Sequence, residues 1–225
     1  TTAEFSPNPD GLNYYFDNRV PPGQSFTTGP NANGYVLNSL FLATSGSGGS
    51  LPASGQAYTM RLYLMSGNSA SLVATYQSQT NFTFTEFNWL QWTNLGFGLQ
   101  PNTRYAYSLW RNSAGWENMA SVSGNPYPGG ELALVPVAGG TLVYGSSHDY
   151  DAAFLARLKT ATSLVVNPIT VTPSGSVPAG SIVALSTAPA VGPGPISYQW
   201  RTDGGSGGAL TNIPGATGTN LSVNT

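Results

Sequence analysis

The chain has 225 residues, a formal net charge of -2 and only 7% charged residues, where ordinary soluble domains carry roughly 25%. That leaves no basic footprint for nucleic acid and no cationic amphipathic face for a membrane surface. Without cysteine there are no disulfides or thiolate metal sites, and no apolar run approaches the roughly 20 residues of a bilayer-spanning helix.

Along the chain the pattern reads as β throughout. No stretch keeps apolar residues at i, i+3, i+4 and i+7 for three turns, whereas period-2 alternation recurs. After the turn clusters "PNPDG" and "GPNANG", the segment "VLNSLFLAT" reads as a strand. Beyond "SGSGGS", the strand "YTMRLYLM" places Tyr58, Met60, Leu62 and Leu64 on one face and Arg61, Tyr63 and Met65 on the other. "SLVATYQ" and "NFTFTE" follow. In "FNWLQWTNL", Trp92 shares parity with Leu90 and is assigned to the core. In "LGFGLQPNTRYAYSLW", Tyr105, Tyr107 and Leu109 look inward, with Leu95, Phe97 and Leu99 as partners. By parity Trp110 then projects from the opposite face, beside small Ala106 and Ser108. "ELALVPV" is a further strand, and "DAAFLARL" groups Phe154, Ala156 and Leu158 as a closing one.

Near residue 161 the composition shifts. Only Tyr198 and Trp200 represent the aromatics afterwards. The expected organisation is a β-sandwich over residues 1–161 and a smaller domain over 162–225. Many short strands with Gly/Pro-rich turns argue for an all-β, jelly-roll-like sandwich in the first part.

The second segment resembles bacterial immunoglobulin-like domains, through "NPITVTPSGSVPAGSIVALS", "ISYQWRTDGG" and "LTNIPGATGTNLSVNT". The resemblance implies that Trp200 is the strand-C core tryptophan, that Val183 and Leu185 belong to strand B, and that Leu221 and Val223 belong to strand E. It also implies an incomplete domain, because the tyrosine corner of strand F is absent before Thr225. The first segment is similar, at pattern level, to the sandwich domains that precede such repeats in exported bacterial proteins, and to carbohydrate-binding jelly rolls. "GQSFTTGPNANGYVLNSLFL" and "LGFGLQPNTRYAYSL" carry that likeness.

Candidate chemistry is sparse. A ligand platform is read at Trp110, with Arg111, Trp116, Glu117 and Asn118 close in sequence and Tyr63 on the neighbouring strand. Exposed rings stack on the apolar face of a pyranose, while planar polar groups bind its hydroxyls. The competing reading has a loop such as 112–130 covering Trp110. Nine Asp and Glu include no pair in a recognisable hydrolase motif, and no G-x-S-x-G accompanies the single histidine, His148. The expectation is therefore no catalysis and no cofactor. A structural calcium at Asp149 and Asp151 is a weak candidate, set against a plain polar turn.

Two functions follow. The first is a secreted bacterial cell-surface module that binds polysaccharide or surface glycan, carried on an Ig-like spacer. A weakly charged surface suits neutral polysaccharide. The second is a structural subunit of an extracellular filament or surface layer, polymerised with copies of itself by strand complementation. There "TTAEFSPN" or "YYFDNRV" would be the donor strand, and an added strand is expected beside "SYQWR". Neither reading involves nucleic acid or membrane insertion.

Overall fold

The computed structural model describes residues 12–16, 22–43, 58–77, 89–111, 117–123, 127–142 and 150–225; at 12–16, 111, 117–119, 123 and 150 it describes the backbone alone. The described residues are all-β, with no helix. In chain order the strands of the first part are β1 (Leu12–Phe16), β2 (Pro22–Thr27), β3 (Tyr35–Ala43), β4 (Tyr58–Ser66), β5 (Ser69–Gln77), β6 (Trp89–Leu99), β7 (Arg104–Arg111) and β8 (Glu117–Ser123). Then come β9 (Leu132–Leu134), β10 (Gly140–Thr141), β11 (Tyr150–Ala152) and β12 (Phe154–Thr160). The C-terminal part holds β13 (Ile169–Thr172), β14 (Ile182–Thr187), β15 (Arg201–Thr202), β16 (Thr211–Asn212) and β17 (Asn220–Asn224).

Two layers enclose the main core. One is the six-stranded sheet β10-β5-β4-β7-β2-β9, the other the three-stranded sheet β12-β3-β6. Alternation dictates this arrangement. Met60 and Leu62 of β4 and Tyr105, Tyr107 and Leu109 of β7 point to one side, where they meet Leu37, Leu40, Leu42, Leu90, Trp92 and Phe154 from the facing sheet. All of these are buried, and each such side chain contributes roughly 1.5–3 kcal/mol by leaving water. The sequence-derived inward faces of β4, β7 and β12, and the core assignment of Trp92, agree with this packing. A third sheet, β1-β8-β11, joins the side through Ala43, Ala120 and Ala153.

The strand β6 contains a bulge. Leu37 pairs with Phe97, but Ser39 pairs with Thr93, so β6 carries extra residues between them. Asn94 and Gly96 take positive φ there, at 56° and 65°. The bulge reverses the parity of β6: Leu90 and Trp92 point inward before it, Phe97 and Leu99 after it.

A buried polar latch ties β2 of the six-stranded sheet to β11 of the third sheet. Gln24 Nε2 donates to Asp151 Oδ1 at 2.6 Å, and the amide of Ala152 donates to Gln24 Oε1 at 2.9 Å. The Tyr127 amide donates to Asp151 Oδ2 at 2.8 Å. Burial raises the Asp151 carboxyl above its ordinary range, against the opposing pull of these donors.

The C-terminal part builds a sheet β13-β14-β17 and the hairpin β15-β16. The residues the resemblance assigns to strands B and E lie on β14 and β17, where Val183 pairs with Val223 and Leu185 with Leu221. Trp200 differs from expectation. It is half-buried rather than core, and its indole Nε1 donates to Gly218 O at 2.8 Å. The ring lines a hollow with Val166, Ile169, Thr187 and Tyr198 rather than filling a closed core. No strand from elsewhere lies beside "SYQWR" among these residues. Instead the Trp200 amide donates to Ala216 O, and Trp200 O accepts from the Ile213 amide. Of the candidate donor segments, residues 14–16 of "YYFDNRV" already pair with Glu117–Met119 of β8 in the same chain, and "TTAEFSPN" lies outside the described residues.

Asn167 clasps the two parts together. Its Oδ1 accepts from the Gly98 amide at 2.7 Å, and its Nδ2 donates to Gly98 O at 3.0 Å and to Pro189 O at 2.9 Å. The side chain thus completes the hydrogen bonding of a sheet edge, as a strand would. Gly98 is required by the close approach: a Cβ there would lie 2.8 Å from Val191 Cγ2.

Candidate functional site

The outer face of the six-stranded sheet is ordered in rows by strand register. Trp110 lies opposite Thr59, and Thr59 opposite Gln77. In the next row Ser108 lies opposite Arg61, and Arg61 opposite Thr75. In the third, Ala106 lies opposite Tyr63, and Tyr63 opposite Leu72 beyond a bulge.

The third row is covered, which corrects the expectation for Tyr63. The ring is fully buried in a second apolar cluster with Met65, Ala70, Ala106, Ala133, Val135 and Leu142. Its hydroxyl lies 3.2 Å from Ser108 Oγ and donates to Val137 O at 3.2 Å, and burial raises its pKa. The segment 133–142 folds over this end of the sheet, pinned where the Leu142 amide donates to Asn68 O. Tyr63 is therefore packing and offers no ring to a ligand.

The first two rows differ. Trp110 and Arg61 are half-buried, Gln77 and Thr75 are exposed, and Thr59 and Ser108 are buried beneath them. The Arg61 guanidinium lies over the Trp110 ring, 5.0 Å from its centroid, a cation–π contact. Thr59 Oγ1 donates to Gln77 Oε1 at 3.2 Å. An indole, a guanidinium, an amide and three hydroxyls thus share one patch. Arg61 and Gln77 escaped the sequence reading because that reading followed sequence neighbours of Trp110. Cross-strand pairing with "YTMRLYLM" and "SLVATYQ" was the signal that brings them in.

The remaining predicted residues fall elsewhere. Arg111 ends β7 opposite Tyr58, with its side chain outside the described residues. Trp116 lies outside them entirely. Glu117 and Asn118 pair with Phe16 and Tyr15 in the separate sheet β1-β8-β11, again as backbone alone. Glu131 lies 4.0 Å from Arg104. Asp149 is outside the described residues, and Asp151 is the buried latch, its oxygens accepting N–H donors rather than facing a cation site. Among the described residues no group of three His, Cys, Asp or Glu is placed to hold a metal ion.

No protein-family model matches the chain, and no curated protein matches it. Among solved structures, the chain is similar to a clostridial cysteine protease, Cwp84, after propeptide cleavage (TM-score 0.43, 11% identity, 71% of this chain and 40% of that one). It is also similar to the cysteine protease and lectin-like domains of Cwp84, a surface layer associated protein of Clostridium difficile (TM-score 0.41, 12% identity, 69% and 37%). A structure of infectious bursal disease virus, Gt strain, follows (TM-score 0.20, 14% identity, 70% and 37%). The chain thus spans about 40% or less of the length of the chains it matches.

Proposed function

We propose that the chain is a non-catalytic, secreted bacterial surface module that binds glycan on the outer face of its six-stranded sheet, with residues 162–225 as an Ig-like domain that spaces it. The half-buried Trp110 carries this reading. It sits at one end of a face whose other end is sealed by residues 133–142, and there it lies among groups that match the apolar face and the hydroxyls of a sugar. The composition supports export and a weakly charged ligand: Ser, Thr, Asn, Gln and Gly supply the polarity that Lys and Glu supply elsewhere.

Glycan-array binding followed by affinity electrophoresis tests the reading. Trp110→Ala is expected to abolish retention while leaving the melting temperature nearly unchanged. Absence of retention on every glycan, or loss of the fold in that variant, would overturn it.

A second reading, self-assembly by strand complementation, is favoured by a different observation. The large apolar side chains exposed among the described residues, Leu164, Val166, Ile169, Val171, Ile182 and Leu210, all belong to the C-terminal part. A β13-β14-β17 sheet with open edges and such a surface accepts further strands. Sedimentation velocity and negative-stain imaging separate the readings: discrete monomers at high concentration rule out assembly, and ordered fibres support it.

A further inference from the structure

We propose that Arg61 makes the Trp110 patch selective for sugars that carry a carboxylate, such as uronic acids, over their neutral counterparts; this rests on the reading of Trp110 as a glycan platform. Arg61 belongs to a set of only seven Lys and Arg in the chain. Among the described residues no carboxylate pairs with it, and its buried Nη1 has no hydrogen-bond partner. Arg104, on the adjacent strand β7, is by contrast set against Glu131. The charge of Arg61 is felt locally, since it opposes the burial-driven rise of the Tyr63 hydroxyl.

Among the described residues this guanidinium faces no anion. Its Nη1 is buried and beyond a ligand's reach, so a planar carboxylate arriving from solvent would pair with the rest of the half-buried guanidinium, where two parallel hydrogen bonds can form. The indole holds the guanidinium plane by stacking, so less side-chain freedom is lost when the anion binds. A pyranose stacked on Trp110 lies beside the cation and brings its C5 carboxylate to the N–H groups. The exposed Gln77 amide and Thr75 hydroxyl, in the same two rows, remain for ring hydroxyls. No covalent step is involved. The low share of charged residues makes an arginine on this face count for more, since few other charges compete for the ligand.

The test compares polygalacturonate, alginate and hyaluronan with their carboxyl-reduced forms on the unsubstituted protein, by affinity electrophoresis and titration calorimetry. At least one acidic polymer is expected to bind ten-fold or more tighter than its reduced form at low salt, with the difference shrinking as salt rises. Arg61→Gln is expected to erase the difference, and Trp110→Ala to remove both bindings. Equal affinity for acidic and reduced polymers overturns the proposal while leaving the glycan reading intact. So does an acid preference that survives in Arg61→Gln. Binding of no polymer in either form overturns both. Should Arg61→Gln fail to fold, the comparison of acidic and reduced polymers on the intact protein still decides.

Discussion

The two parts of the chain handle apolar surface in opposite ways. In residues 22–160 the inner face of β4 and one end of its outer face are covered: Met60 and Leu62 by the facing sheet, Tyr63 and Met65 by the segment 133–142. In residues 162–225 the sheet β13-β14-β17 is covered far less: Val183 is buried, but Ile182 and Val166 are 71% and 64% exposed. Similar alternating patterns thus yield a closed sandwich in one part and an open sheet in the other. The difference lies in the partners available, not in the strands.

Truncations in the two cores should measure that contrast most directly. Phe154, packed edge-on against both Tyr107 and Tyr127, is 1% exposed; Phe154→Ala is expected to cost about 3–5 kcal/mol in denaturant unfolding. Ile182→Ala is expected to change stability by less than about 0.5 kcal/mol. A large effect at Ile182 would mean that the C-terminal sheet is covered in solution.

The joint comes next in size. Asn167→Ala leaves the Gly98 amide and carbonyl without partners, and is expected to cost about 2–3 kcal/mol. Calorimetry should then resolve two transitions where the parent shows one. A single unshifted transition would mean that the clasp does not couple the parts.

The latch offers a pH signature. The native Asp151 carboxyl titrates above its unfolded counterpart, so the native state holds the proton more tightly. Its contribution to stability is therefore greatest below roughly pH 4, declines as pH rises through the raised native value, and is flat above it. Asp151→Asn turns an N–H toward a donor, because Gln24 is held in orientation by the Ala152 amide. It is expected to cost about 1–3 kcal/mol at pH 7. The gap to the parent should widen on acidification, which unfolding curves at several pH values would read.

The smallest effect should come from Tyr107→Phe. The Tyr107 hydroxyl is buried without a hydrogen-bond partner, and its ionisation is suppressed first by burial and then by the Asp151 charge. Removing it is expected to be neutral or stabilising by up to about 1 kcal/mol. A clear loss of stability would reveal a partner for that oxygen.

Much of the inner face was legible from parity alone. Tyr105, Tyr107 and Leu109 alternate without interruption, so their burial follows from strand geometry. Trp92 and Phe97 are both core despite opposite parity, and the positive-φ positions Asn94 and Gly96 explain how. "TNLG" carried that signal, since Asn and Gly tolerate the left-handed region where a bulge forms. The outer face was harder. Tyr63 was expected open because cover supplied from 133–142 is a long-range property that alternation does not encode. "ELALVPV" nonetheless held a hint: it is apolar on both parities, and Leu132 joins the main core while Ala133 and Val135 join the outer cluster. Trp200 erred the other way. The Ig resemblance placed it in a core, but the ring is half-buried and lines an open hollow with Ile169 and Thr187. The Arg61 stack was invisible because it depends on which strands become neighbours, a matter of topology rather than of sequence spacing.

The clasp at Asn167 also has a mechanical meaning. Four hydrogen bonds bridge the two parts in one short stretch: two between Asn167 and Gly98, and two from Gln100 Nε2 to Pro189 O and Ala190 O at 3.1 and 3.0 Å. A pull that separates the parts strains these four together instead of unzipping them one after another. Bonds loaded in parallel share tension and yield as a group, at a higher force than the same bonds in series. The joint should therefore behave under tension as a rivet, with slack taken up in the sparsely covered C-terminal sheet before the two parts come apart.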